Sequence, residues 1–137
     1  MGKIIALDFG LKRTGIALSD ESKIFAFGLK TIESKNLEVF LKEIIAKEKF
    51  EKIVLGEPKR LNLDDSHITQ NVYLLKTRLE QLFPQLQIVL HDERFTSKMA
   101  SHIISQSNLS KGKKQDKALI DEVSATILLQ SYLEYIS

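Results

Sequence analysis

The chain has 137 residues, enough for one ordinary domain with a single substantial core and too few for two lobes closing on a ligand. A composition of 43% hydrophobic and 28% charged residues, with 6 Gly and 2 Pro, excludes fibrous and disordered classes. The absence of Cys excludes disulfides and thiolate metal sites, and a formal net charge of +2 is too small to argue a nucleic-acid partner from global charge.

Residues 3 to 8, Lys-Ile-Ile-Ala-Leu-Asp, form an apolar run too short for a helix and closed by Gly10, which suits a strand buried on both faces. The same run is too short for a signal-peptide core, and no other stretch approaches the length of a membrane helix, so a cytoplasmic location with no membrane partner is expected. Thr14 to Ser19 and Phe25 to Thr31, separated by the polar turn Asp20-Glu21-Ser22-Lys23, predict two more strands and hence an antiparallel meander. Leu37, Phe40, Leu41, Ile44 and Ile45 then recur at three-and-four spacing, which predicts an amphipathic helix over 36–48. Lys52 to Gly56 is a short strand closed by Pro58, and Ile68, Val72, Leu75, Leu79 and Leu82 mark a longer helix ended by Pro84. Gln87 to His91 reads as a fifth strand, Ser97 to Ser105 as a short helix, and Leu119 to Ile136 as a final helix. Strands alternating with helices after residue 36 imply parallel crossovers. The expected fold class is therefore α/β, a five-stranded mixed sheet with strands 1–3 antiparallel, strands 4 and 5 parallel, and helices on its faces, in one domain spanning 1–137.

Three carboxylates stand where such a sheet places chemistry. Asp8 continues an apolar central strand, where a bare charge is costly unless a cation or several donors meet it; the alternative is a strand-end Asp bonded to the Gly10 turn. Glu93 lies just past the fifth strand, at the edge where open α/β sheets bind ligands. Asp121 sits near the start of the last helix, where favourable interaction with the helix dipole is a purely structural account. Taken together the three suit hard divalent ions, two of which about 3.5–4 Å apart can clamp the attacking water and the leaving oxygen of a phosphodiester. Without Cys, and with only His67, His91 and His102 scattered along the chain, Mg²⁺ or Mn²⁺, one ion or two, fits better than zinc.

Four motifs in order carry a family likeness. Asp8-Phe9-Gly10-Leu11-Lys12-Arg13-Thr14-Gly15 matches an Asp-x-Gly-x-x-Arg-x-Gly opening, Gly56-Glu57-Pro58 a Gly-x-Pro loop, and Asp92-Glu93-Arg94-Phe95-Thr96-Ser97 an Asp-Glu-Arg-x-Thr-Ser/Thr run. The segment from Asp121 to Leu133 completes the set. In this order the chain resembles the YqgF (RuvX) family, relatives of the RuvC Holliday junction resolvases. The resemblance implies an RNase H-like fold and a nuclease, a hydrolase of phosphodiester bonds, acting in processing of the pre-16S ribosomal RNA end, hence in ribosome biogenesis. It also implies that Asp8, Glu93 and Asp121 are the catalytic and metal-binding residues. Two positions depart from the family pattern. Glu57 replaces a usually apolar residue and either joins the metal cluster, as a fourth-strand acid does in many RNase H-like enzymes, or is an exposed loop residue; Ser124 replaces a more usual Ala.

Arg13 and Arg94 each follow a candidate carboxylate, and each either orients it or holds a substrate phosphate. Lys113, Lys114 and Lys117, with Lys111, fall in a polar segment leading to Asp121 and are further candidates for phosphate contact. Gly10 and Thr96 support the site from behind. The expected partner is nucleic acid, RNA rather than DNA, with monomer and homodimer both open. Three rivals stand beside this reading. An actin-like ATPase also opens on an Asp-x-Gly turn but needs two lobes; a Holliday junction resolvase would act on branched DNA; a non-catalytic RNA-binding assembly factor would use the carboxylates structurally.

Overall fold

The computed structural model describes residues 2–57, 66–92 and 117–137. Five strands, β1 (Lys3–Phe9), β2 (Arg13–Ser19), β3 (Ala26–Glu33), β4 (Phe50–Glu57) and β5 (Gln87–Asp92), form one sheet in the order β3-β2-β1-β4-β5. β1 is antiparallel to β2 and β2 to β3, whereas β1 with β4 and β4 with β5 are parallel. The mixed sheet and both pairing senses are as the sequence pattern predicts. The helices described are α1 (Leu37–Lys47), α2 (Ser66–Leu82) and α3 (Lys117–Ile136). The short helix expected over 97–105 lies outside the described residues.

The central strand is buried on both faces, and its alternation divides the core in two. Ile5 and Leu7 of β1, with Ile16, Ile53, Leu55 and Ile88, pack under Leu37 and Leu41 of α1 and Val72 and Leu79 of α2. Ile4 and Ala6, with Ala17 and Val54, pack under Ala125, Leu128, Leu129 and Leu133 of α3. Each large side chain so enclosed contributes about 1.5–3 kcal/mol of burial free energy. Period two then carries Asp8 onto the α3 face, one step beyond Ala6. Ser124 is fully buried in this layer and its hydroxyl has no hydrogen-bond partner among the described residues, so the departure from Ala brings a polar atom with no visible compensation.

Some boundaries move. β3 runs on to Glu33 because Ile32 and Glu33 still find partners in Thr14 and Arg13. α3 begins at Lys117, two residues before the apolar period suggests, which puts Asp121 beyond the first helical turn.

The β2–β3 turn is held by one carboxylate. Asp20 Oδ1 accepts the backbone N–H groups of Ile24 and Phe25 at 2.8 and 2.9 Å. The Phe25 bond, followed by that of Ile24 and working against desolvation, pulls the Asp20 carboxyl below its ordinary value of 3.8. A folded-state value below the unfolded one means the stabilisation is present above the unfolded pKa and lost as pH falls through the folded one. Asp20→Ala is therefore expected to lower Tm at neutral pH, with the gap to wild type closing as pH is taken down through the carboxylate range; paired thermal melts across that range check it, and a gap independent of pH counts against the account.

Candidate nuclease centre

The β1–β2 turn is built to bring two charged side chains onto one face. Gly10 N–H donates to the Arg13 carbonyl at 2.9 Å, and a β-carbon on Gly10 would press to 2.7 Å from that same oxygen, so the tight closure needs glycine. Ser34 fastens the turn from outside: its N–H donates to the Lys12 carbonyl at 3.0 Å, its hydroxyl donates to the Gly10 carbonyl at 2.6 Å, and it shares a 2.8 Å bond with the buried Thr14 hydroxyl. Gly10 enters this turn through its backbone alone. The turn fixes where β2 begins and hence where Arg13 stands.

Across the β1–β2 ladder Asp8 pairs with Gly15. A methyl group built on Gly15 would overlap the backbone carbonyl of Asp121, so the early part of α3 rests directly on this glycine. The backbone of Asp121 is thereby set against the ladder partner of Asp8, although 113 positions separate the two acids in the sequence. Arg13 Nε donates to Asp121 Oδ2 at 3.0 Å, with both side chains about a third exposed or less. Arg13 is thus ion-paired with a candidate carboxylate. Asp121 is the fifth residue of α3, past the reach of the helix dipole, so the dipole account of its charge gives way to the arginine.

On the other flank Leu7 pairs with Leu55, so Asp8 and Gly56 follow as neighbours on β1 and β4. Glycine at both 15 and 56 leaves Asp8 without side chains on either side in its own row. In the sequence the two glycines are legible as letters of the Asp-x-Gly-x-x-Arg-x-Gly and Gly-x-Pro motifs. A glycine inside a strand marks a close approach of backbone or ligand, and that signal was available to locate the carboxylate pair.

The structure does not bring Glu57 to this pair. It ends β4 on the alternation of Ile53 and Leu55, the face covered by α1 and α2, and its Oε2 accepts the Tyr73 hydroxyl of α2 at 2.5 Å. Glu57 therefore serves the α2 contact rather than Asp8 and Asp121, because their side chains leave opposite faces of the sheet. β5 ends at Asp92, paired with Glu57, so its carboxyl end reaches the same edge as that of β4. Glu93, Arg94, Thr96, Lys111, Lys113 and Lys114 lie outside the described residues, and so does the side chain of Lys117.

Next to Gly56 in the ladder is His91, on the α3 face, whose Nε2 shares a 3.0 Å hydrogen bond with Ser131 Oγ. Burial pushes the imidazole below its ordinary value of 6.5, against the opposing charge of Asp92, so this side chain is chiefly a neutral ring at neutral pH.

Donor chemistry decides which ion such a centre can take. Asp8 and Asp121 offer hard carboxylate oxygens, which suit Mg²⁺ or Mn²⁺ and not a soft ion. Among the described residues no group of three or more potential metal ligands assembles, so the pair can be at most part of a coordination set.

Comparison with known proteins agrees with this architecture. A family model described as "RuvX: Holliday junction resolvase" matches residues 2–135. The "Putative pre-16S rRNA nuclease" of Flavobacterium psychrophilum is 48% identical over 97% of each chain, and the protein of the same name from Porphyromonas gingivalis is 45% identical over 98% of this chain and 97% of its own. The structure of Thermus thermophilus RuvC in complex with a Holliday junction substrate superposes with a TM-score of 0.59 at 10% identity, covering 99% of this chain and 96% of that one. A second T. thermophilus RuvC structure gives 0.56 at 8% identity, covering 98% and 96%. At such identities these two show the fold alone, and that fold is RNase H-like. With the family model and the curated relatives both spanning almost all of its length, the chain belongs to the RuvX (YqgF) family.

Proposed function

We propose that this chain is a divalent-metal-dependent nuclease, one cytoplasmic domain that hydrolyses phosphodiester bonds of pre-16S ribosomal RNA during ribosome biogenesis. What supports the reading is that the Asp121 backbone rests on Gly15, the ladder partner of Asp8, with Arg13 bound to Asp121. The names of the relatives supply the RNA. Asp8, Asp121 and Glu93 are the residues that would hold Mg²⁺ or Mn²⁺; when bound, the metal activates water and neutralises charge on the phosphodiester.

The chain's own contribution is positional. Gly15 and the Gly10 turn set the distance between β1 and α3, and Arg13 holds the Asp121 carboxylate in one orientation, which matters because a misplacement of about 1 Å can cost about 10²-fold in rate. The guanidinium keeps further N–H groups with which to meet a substrate phosphate. Arg94, Lys113, Lys114 and Lys117 are proposed to extend that contact along the backbone, and Thr96 to steady Glu93. No side-chain nucleophile is required, so no covalent enzyme intermediate forms.

The test is metal removal. A transcript spanning the end of 16S rRNA should be cut by the purified chain in Mg²⁺ or Mn²⁺, left intact in EDTA, and cut again when metal is restored; cleavage indifferent to chelation would defeat the proposal. The description of the family model favours one second reading, resolution of branched DNA. A four-way junction assayed beside the transcript separates the two by which substrate is cut faster.

A further inference from the structure

The face of the sheet that carries Asp8 also carries a group of rings with no part in the chemistry above. His91 meets Tyr132 edge-on, with ring centroids 5.5 Å apart and an interplanar angle of 82°. Tyr135 lies 5.7 Å from His91 and 6.4 Å from Tyr132, tilted to both. The three differ sharply in exposure. Tyr132 is buried at 6%, and Lys52 anchors it, donating from Nζ to the phenol oxygen at 2.9 Å with the ammonium 5.3 Å from the ring centre. Tyr135 is 77% exposed, supported by the other two rings while showing most of its own surface to solvent.

Scattered exposed tyrosines need no explanation, but the position of this one does. His91 pairs with Gly56, the β4 neighbour of Asp8, so two inter-strand steps, about 10 Å, separate the backbones of Asp8 and His91. A strand whose phosphate is met by the Arg13 guanidinium beside Asp121 and which leaves toward β5 meets these rings with its flanking nucleotides. A ring backed by packed neighbours and open on its own surface is the form of a base-stacking platform, and every base has a π-face to offer it. Such a platform accepts a base only when that base is unpaired.

Resting on the nuclease reading for the strand's position, we infer that His91, Tyr132 and Tyr135 form a stacking platform for an unpaired base flanking the scissile phosphate, with Tyr135 as the ring in contact. The platform selects single-stranded substrate next to the cut. Its ligand class is an unpaired nucleobase, RNA or DNA.

The experiment measures binding of a short fluorescein-labelled single-stranded RNA, and of the duplex with the same sequence, by anisotropy in EDTA so that nothing is cut. Tyr135 is exposed, so Tyr135→Ala should leave the far-UV circular dichroism spectrum intact while weakening single-strand binding by about fivefold or more. Tyr135→Phe, which keeps the ring, should bind within about twofold of wild type, the ring rather than the hydroxyl supplying the contact, and neither variant should alter duplex binding. Single-strand affinity unchanged in Tyr135→Ala, or an equal loss on the duplex, overturns the platform. The nuclease reading fails separately: Asp8→Asn that still cuts, beside single-strand binding that still depends on Tyr135, would remove the nuclease and leave the platform standing.

Discussion

Asp8→Asn is expected to lower metal-supported cleavage by more than about 100-fold, the upper end of what losing an outer partner of a metal ligand costs, while leaving the chain folded. The substitution keeps the shape of the side chain and removes its charge. Beside Asp121 that charge is what a hard divalent ion needs, since a neutral amide oxygen is a weaker partner for it. Stability should move the other way or not at all. Two carboxylates at adjoining positions repel each other when no cation lies between them, so neutralising one relieves repulsion and desolvation together. Cleavage assays with Mg²⁺, paired with thermal melts in EDTA, separate the accounts. If Asp8 serves only to brace the Gly10 turn, Tm drops and the residual activity follows the folded fraction; if it is a metal ligand, activity vanishes at unchanged or higher Tm.

The elements were legible wherever one physical signal dominated. The continuous apolar run from Ile4 to Leu7, the three-and-four spacing of Leu37, Leu41 and Ile44, and the stop at Pro84 each predict the element observed. Asp8 could be singled out because a charge ending an apolar strand is anomalous by itself. Glu57 shows where such reading stops. Alternation within β4 puts Glu57 with Leu55, and alternation within β1 puts Asp8 with Ala6, but which of these sets share a face depends on register between strands, which no single strand encodes. The start of α3 was hidden for a different reason: Lys117 and Ala118 suit a helix but break no polar pattern, so the apolar period begins only at Leu119. The ring cluster was hidden because His91 and Tyr132 come together only through the packing of α3 on the edge of the sheet.

Gly15→Ala tests the geometry without touching a charged group, and its expected effect is large on both stability and rate. A single added methyl meets the Asp121 carbonyl, which is helix backbone and cannot swing aside as a flexible side chain would. Either β2 bends or the early part of α3 lifts, and overpacking of this kind typically costs about 1–3 kcal/mol. β2 is held on both sides, by β1 through Asp8 to Ile5 and by β3 along its whole length, so the helix yields more easily. If it lifts, Asp121 leaves Asp8 and strains its bond to Arg13, and a displacement of about 1 Å suffices for a loss of about 10²-fold in rate. The neighbouring Gly28 provides the control. A methyl group there would meet Glu122 Oε1 at 2.8 Å and Thr126 Oγ1 at 2.9 Å, both side-chain atoms that can turn away, so Gly28→Ala should lose less stability and keep its activity. Denaturant titrations and cleavage rates for the two variants decide the matter: equal losses in both would mean that α3 does not depend on Gly15 for its seat, and that the closeness of the two carboxylates has another cause.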